Sequence, residues 1–398
     1  MNRTRASLTA LVAAVLLVLA GAPASAAPGG GNVRFATFNA SLNRAEPGQL
    51  LADLSTPGNE QARKVAEVLQ RVRPDVVLLN EFDYVPGNAA ADAFRANYLE
   101  HGQQGARPIT YPYAYTAPVN TGVPTGFDLD RDGRVGGGND AQGFGAFEGQ
   151  YGLLVLSKYP IDTAHARTFQ RFRWKDMPGA LLPDDPATPA PGDWYSPQIL
   201  DVLRLSSKSH WDLPIRIGRS AVHFLVSHPT PPSFDGPEDR NGTRNHDEIR
   251  FWADYVTPGK GDYLYDDHGV RGGLDARQRF VVAGDNNSDP VDGDSVPGAI
   301  DQLLHAPRVI DPHPGSLGAI AASREQGGAN RTHRGNPFFD TGDFGDKSPG
   351  NLRVDYVLPS RGLIPSHSAV FWPLPGSALA RLNDTSDHHL VHADVLVP

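Results

Sequence analysis

The chain contains no cysteine, and only two of its 398 residues are methionine. Disulfides are therefore excluded, so any fastening beyond core packing must come from bound metal. A basic excess is also missing, since 36 Lys and Arg against 45 Asp and Glu give a formal charge of −9. That balance argues against a broad basic face for nucleic acid, although a local patch beside a cation can still receive a phosphate. Beyond the stretch from Leu8 to about Ala20, no apolar run approaches membrane-spanning length. What is abundant instead is Gly, at 42, and Pro, at 35, which predicts long surface loops rather than a helical bundle.

The first apolar stretch follows Arg3 and Arg5 and precedes the small residues Ala24-Ser25-Ala26, so residues 1 to 26 read as a secretory signal. Its removal takes the charge to −11 and leaves a secreted, extracellular chain without a transmembrane anchor. No composition break or internal repeat divides residues 27 to 398, which are expected to form a single catalytic domain with long loop insertions.

Strands are expected at 33 to 38 (VRFATF), in DVVLLNEF after Pro74, at 151 to 157, at 221 to 227, in RFVVAG, at 352 to 360 and at 388 to 397. Val65, Val68, Leu69 and Val72 form one stripe of a helix over 60 to 73, and Ile249, Trp252 and Val256 one face of a shorter helix over 246 to 256. Pro- and Gly-rich residues 177 to 194 read as a surface excursion. Several strands end in a polar residue, at Asn39, Glu81, His228 and Asp285, and ligand sites on sheets gather at such ends.

Each of these residues has a plainer reading. Glu81 after VVLLN is either a metal ligand or a carboxylate at a solvated exit. Asp285 and Asn287, two apart, share a strand face if the strand continues, or else belong to an Asx turn in DNNSDP. His228 before PTPP either donates to a phosphate or is a satisfied strand-end histidine, while His223 reads as structural. His388 with Asp355 can form a base and its orienting carboxylate, and Asp387 can approach a metal, provided these distant segments meet. Separately, DLDRDGRVGGGND sets Asp128, Asp130, Asp132 and Gly133 at calcium-loop spacing, with Asn139 and Asp140 near its end. It is either a structural Ca2+ loop or an acidic surface turn, and no flanking helices make it an EF-hand.

Taken in order, TFNAS, VVLLNEFD, YGLLVLSKYPI, VSHPTPP, VVAGDNNSDP, LRVDYVLPS and TSDHH resemble the endonuclease/exonuclease/phosphatase superfamily, which includes the DNase I-like nucleases. The resemblance implies an α/β fold, a two-sheet DNase I-like sandwich of mixed β-sheets flanked by helices. It also implies a Mg2+ site, with Mn2+ as a substitute, at Asn39, Glu81 and Asp387. His228 and Asn287 would contact the phosphate, Asp285 would orient water, and Asp355 would partner His388. Two positions stay open: Glu148, Gln150 or Tyr151 for one contact, and Lys208 or His210 for a basic one.

The expected function is a secreted, Mg2+-dependent phosphoester hydrolase, with a phosphodiester favoured. The substrate is a phosphoester small molecule, a phospholipid headgroup or a nucleic acid, and no obligate protein partner is indicated. The alternatives are a secreted endonuclease using Arg240, Arg244 and His246 as a phosphate patch, a phosphomonoesterase, and a noncatalytic binding module. Substrate selection is expected in the loops at 86 to 147 and 160 to 210.

Overall fold

Alternating burial turns β1 (Asn32–Asn39) into a two-faced strand, with Val33 and Phe35 on one side and Ala36 and Phe38 on the other. The same division runs through β2 (Val76–Asn80) and, beyond β3 (Tyr113–Tyr115), through β4 (Leu153–Ser157). β5 (Arg167–Thr168), β6 (His210–Ile217), β7 (Ser220–Ser227) and β8 (Arg279–Asp285) follow. The short pair β9 (Gly342–Asp343) and β10 (Asn351–Leu352) precedes β11 (Asp355–Pro359), β12 (Ile364–Val370) and β13 (Val391–Leu396). This computed structural model describes residues 31–398, and the expected signal segment lies outside them.

Two mixed sheets result, a six-stranded one in the order β12-β13-β1-β2-β4-β3 and a five-stranded one in the order β11-β8-β7-β6-β5. Their facing sides share one apolar layer, in which Phe35 meets Phe224 with ring centroids 5.5 Å apart. The outer face of the first sheet is covered by the helix Glu60–Val72 through Val65, Val68, Leu69 and Val72, as the apolar stripe predicts. Arg73 takes a left-handed φ of 56° and Pro74 prevents continuation, so the helix stops there. The second sheet is covered by the helix Arg240–Val256 through Ile249, Trp252 and Val256. This is the expected two-sheet sandwich with flanking helices. Among the described residues, no helix is long and apolar enough to cross a membrane.

Each sheet contains one parallel pair, β1 with β2 and β7 with β8, while the other pairings are antiparallel. The carboxyl ends of both pairs arrive at the same end of the sandwich, where Asn80 Nδ2 donates to Ser227 O across the sheets. β11 is antiparallel to β8 and pairs its first residue, Asp355, with Asp285. β13 likewise begins there, just after His388. This end gathers the exits of β1, β2, β7 and β8 with the entries of β11 and β13, and polar residues collect on it.

Two expectations are corrected. The second helix begins at Arg240 rather than 246, because Asn245 is held by Thr230 O and Asn286 O, contacts that local patterning does not reveal. Strand β6 is absent from the sequence expectations, since Pro214 within it argues against an interior strand. Its neighbour β5 spans two residues, paired to Asp212 and Trp211, so it ends before the ring. Pro214 O is taken there by Asp162 N–H, and the ladder on that side needs no donor from residue 214.

Candidate active site

The β-strand exits bring Asn39, Glu81, His228 and Asp285 together, and the strand entries add Asp355 and His388. Asp285 Oδ2 is the meeting point: Asn39 Nδ2 lies 3.1 Å away, His228 Nε2 3.3 Å and His388 Nε2 3.5 Å. Burial alone would raise the Asp285 carboxyl, but His388, His228 and the Asn39 amide hold it well below the usual carboxylate range. On the far side of His388, Nδ1 faces Asp355 Oδ2 at 2.9 Å, and the same oxygen accepts from Thr341 Oγ1 at 2.8 Å. Burial pushes Asp355 up to about 6. It opposes charge on His388 too, yet the Asp355 and Asp285 carboxylates flanking that ring win and hold its pKa well above that of a free histidine. The chain Asp285–His388–Asp355 is thus wholly buried.

This backbone approach leaves little room. A Cβ on Gly284 would stand 2.2 Å from Ser227 O, so β7 and β8 come this close only with glycine there. Glu81 has φ 60° and Asn287 φ 51°, both left-handed, where the chain turns out of the ends of β2 and β8. Asn287 N–H donates to Asp285 Oδ1 and its Nδ2 to Pro229 O, leaving one amide hydrogen for a ligand. The expected Asx turn and the expected site pair are therefore the same structure.

Glu81 is oriented by amides rather than by a cation. Asn39 Nδ2 donates to Oε1 at 3.0 Å and Asn43 Nδ2 to Oε2 at 2.6 Å, and among the described residues no basic side chain lies within salt-bridge distance of Glu81 or Asp387. Carboxylates without an ion-pair partner form a hard donor set that suits a divalent cation such as Mg2+. Asp285, Asp355 and His388 also converge within 4.8 Å. Both ring nitrogens of His388 face carboxylates there, Nδ1 toward Asp355 and Nε2 toward Asp285.

Burial separates the residues at the two open positions. His210 is fully enclosed, its Nε2–H donating to Glu248 O and its Nδ1 accepting from Ser206, and desolvation lowers its pKa to about 4. Both of its ring nitrogens are thus engaged within the core. Burial lowers the pKa of Lys208, opposed by the carboxylates of Glu248, Glu81 and Asp285, which places its ammonium in the field of the site. Gln150 clamps Ala146 N–H and Arg44 O, and Glu148 is exposed. Tyr151 instead has its pKa raised by burial and then by Glu81, and stands beside the site. His223 is structural as expected, paired with Asp212 at 2.6 Å.

Glu248 escaped sequence reading. Its Oε1 accepts from Ser207 N–H and Oγ, and its Oε2 from Thr230 N–H, so one helix residue pins the loops that present Lys208 and His228. A lone Glu in HDEIRFW carries no signal of this. Thr341, which supports Asp355, was equally invisible.

The proposed phosphate patch is not free. Arg244 is half-buried and donates to Leu205 O, Gln142 O and Arg204 O, Arg240 pairs with Glu238, and His246 with Asp247. In the acidic loop, oxygens of Asp128, Asp130 and Asp140 converge within 4.8 Å. Asp132 instead accepts from Arg134 N–H, and Asn139 donates to Asp130, so these two stand outside the converging trio.

The site opens into a groove of about 900 Å³ lined by Glu81, His228, Asp285, Asn287, Asp387 and His388, with Phe234, Asp294, His333, Asp343 and Phe344 on its walls. Among the described residues lining it there is no Lys or Arg.

No curated protein matches the sequence. Among solved structures, the chain is similar to an endonuclease/exonuclease/phosphatase from Beutenbergia cavernae, at 17% identity and a TM-score of 0.47, over 92% of this chain and 72% of that one. It is similar to sphingomyelinase C from Streptomyces griseocarneus at 18% identity and a TM-score of 0.45, over 92% and 99%. The corresponding figures for TDP2 from Caenorhabditis elegans are 15%, 0.43, 92% and 75%. The sequence itself matches the Endonuclease/Exonuclease/phosphatase family over residues 36–388, and the chain belongs to that family.

Proposed function

We propose that the protein is a secreted, Mg2+-dependent phosphodiesterase whose substrate carries a single phosphate between uncharged or cationic groups. Family membership and the carboxylate and imidazole clusters support metal-dependent phosphoester hydrolysis in general. The observation that carries the finer reading is the charge distribution of the groove. Its floor offers His228 and His388, with Lys208 behind, whereas its walls carry Asp294 and Asp343 and no Lys or Arg. A nucleic acid needs cations along its flanking phosphates. Phe234, 86% exposed on the rim, offers an apolar contact instead.

A cation held by Glu81 and Asp387, with Asn39 orienting the Glu81 carboxylate, Mg2+ or its substitute Mn2+, would polarise the phosphoryl group and offset charge on the leaving oxygen. His228 and Asn287 donate to the equatorial oxygens as charge develops. Asp285 orients the attacking water, and the released proton enters the Asp285–His388–Asp355 chain, whose far member is pushed up to about 6 by burial. Export directed by residues 1 to 26 and one catalytic unit over 27 to 398 belong to this proposal.

A metal-controlled panel of DNA, RNA, phospholipid headgroup diesters, bis-p-nitrophenyl phosphate and sugar or inositol monophosphates tests it. The highest kcat/KM is expected on a diester that is not nucleic acid. Preference for DNA would overturn the substrate class, preference for monoesters the diester, and no turnover on any of them would favour a binding module. Structural Ca2+ at Asp128, Asp130 and Asp140 is a separate proposal: Ca2+ should raise the Tm of the wild type and not of Asp130→Ala, and equal responses would remove it.

A further inference from the structure

The outer face of the six-stranded sheet carries a second group of metal-ligating side chains, roughly 13 Å along β13 from His388. Val391, Ala393 and Val395 point into the layer between the sheets, so His392 and Asp394 occupy the opposite face. The edge strand β12 sets His367 opposite Asp394, after a register shift between Pro365 and His367. Without that bulge Ser366 would stand there, so the irregularity is what brings a second imidazole to this face.

The His367 and His392 rings stack with centroids 5.4 Å apart, and one ligand atom each from His367, His392 and Asp394 lie within 4.8 Å of one another. His392 is 6% exposed, yet its Nδ1 has no hydrogen-bond partner and stands 3.5 Å from Asp394 Oδ1. A buried ring nitrogen unpaired beside a carboxylate is unfavourable, and a cation between them would satisfy both. Arg34 faces the same cluster, donating to Asp394 Oδ1 at 2.6 Å and Oδ2 at 2.7 Å, with its third nitrogen on Val72 O. That pair orients the carboxylate while each oxygen keeps another lone pair, and its charge makes the site weaker than a closed structural one.

We infer that His367, His392 and Asp394 form a site for a borderline transition-metal ion, best fitted by Zn2+, which ties edge strand β12 to β13. Two imidazoles, one carboxylate and an open solvent side match the zinc donor set, whereas Mg2+ prefers oxygen alone. In a chain without disulfides such a clip would secure an edge that ladder bonds hold on one side only.

The test is equilibrium dialysis of the whole chain against Zn2+ in excess Mg2+, comparing wild type with His367→Ala and His392→Ala. His367 is exposed, so its variant should fold, and Mg2+-dependent turnover equal to wild type checks that it has. Zinc bound in the groove or the acidic loop is common to all three and cancels. The wild type should hold one more Zn2+ than either variant, or hold it at least about tenfold more tightly, and its Tm should rise more with Zn2+ than theirs. Equal stoichiometry, affinity and Tm response in wild type and His367→Ala would overturn the inference.

Discussion

His388→Ala should lower kcat by about 10²- to 10⁴-fold, the range for loss of a positioned acid-base group, while far-UV circular dichroism stays that of the wild type. The imidazole joins Asp285 to Asp355, and no other side chain spans the two carboxylates. Folding should survive because Asp355, already near 6, can take a proton, and Thr341 still donates to it. Glu81→Gln should differ in kind: removal of the carboxylate charge weakens cation binding, so turnover falls and more Mg2+ is needed to reach half-maximal rate. Near-normal kcat in both variants at saturating substrate would sink the proposed machinery.

Glu248→Ala should destabilise the fold by roughly 3–5 kcal/mol, read from urea unfolding, because it leaves two buried N–H donors unpaired, leaves Ser207 Oγ only the His228 carbonyl, and deprives Lys208 of the carboxylate that most opposes its desolvation. Glu248→Gln keeps one acceptor oxygen and should lose less stability. In that folded variant the field on Lys208 is weaker, so KM should rise more than kcat falls if the ammonium meets the substrate phosphate. A loss within about 1 kcal/mol for the alanine variant would show that the two loops hold themselves.

Much of this arrangement was legible in the linear chain because it depends on local pattern. Alternation and apolar stripes located the strands that end in Asn39, Glu81, His228 and Asp285 and the helix that stops before Pro74. Their resemblance to one superfamily placed the same residues in one site. What local pattern could not convey was which neighbour each polar group would meet. His210 and Lys208 are two residues apart, yet burial against Glu248 O makes one a neutral strut and leaves the other beside the acidic groove.

The same holds for Arg240, Arg244 and His246, whose positive charges suggested a phosphate patch until their carbonyl and carboxylate partners were seen. Composition and periodicity specify a two-sided strand or an amphipathic helix, since those follow from residues a few positions apart. The hydrogen-bond chain from Asp285 through His388 to Asp355 links segments separated by as many as 103 positions. It exists because the parallel strands of both sheets end, and β11 and β13 begin, at one end of the sandwich.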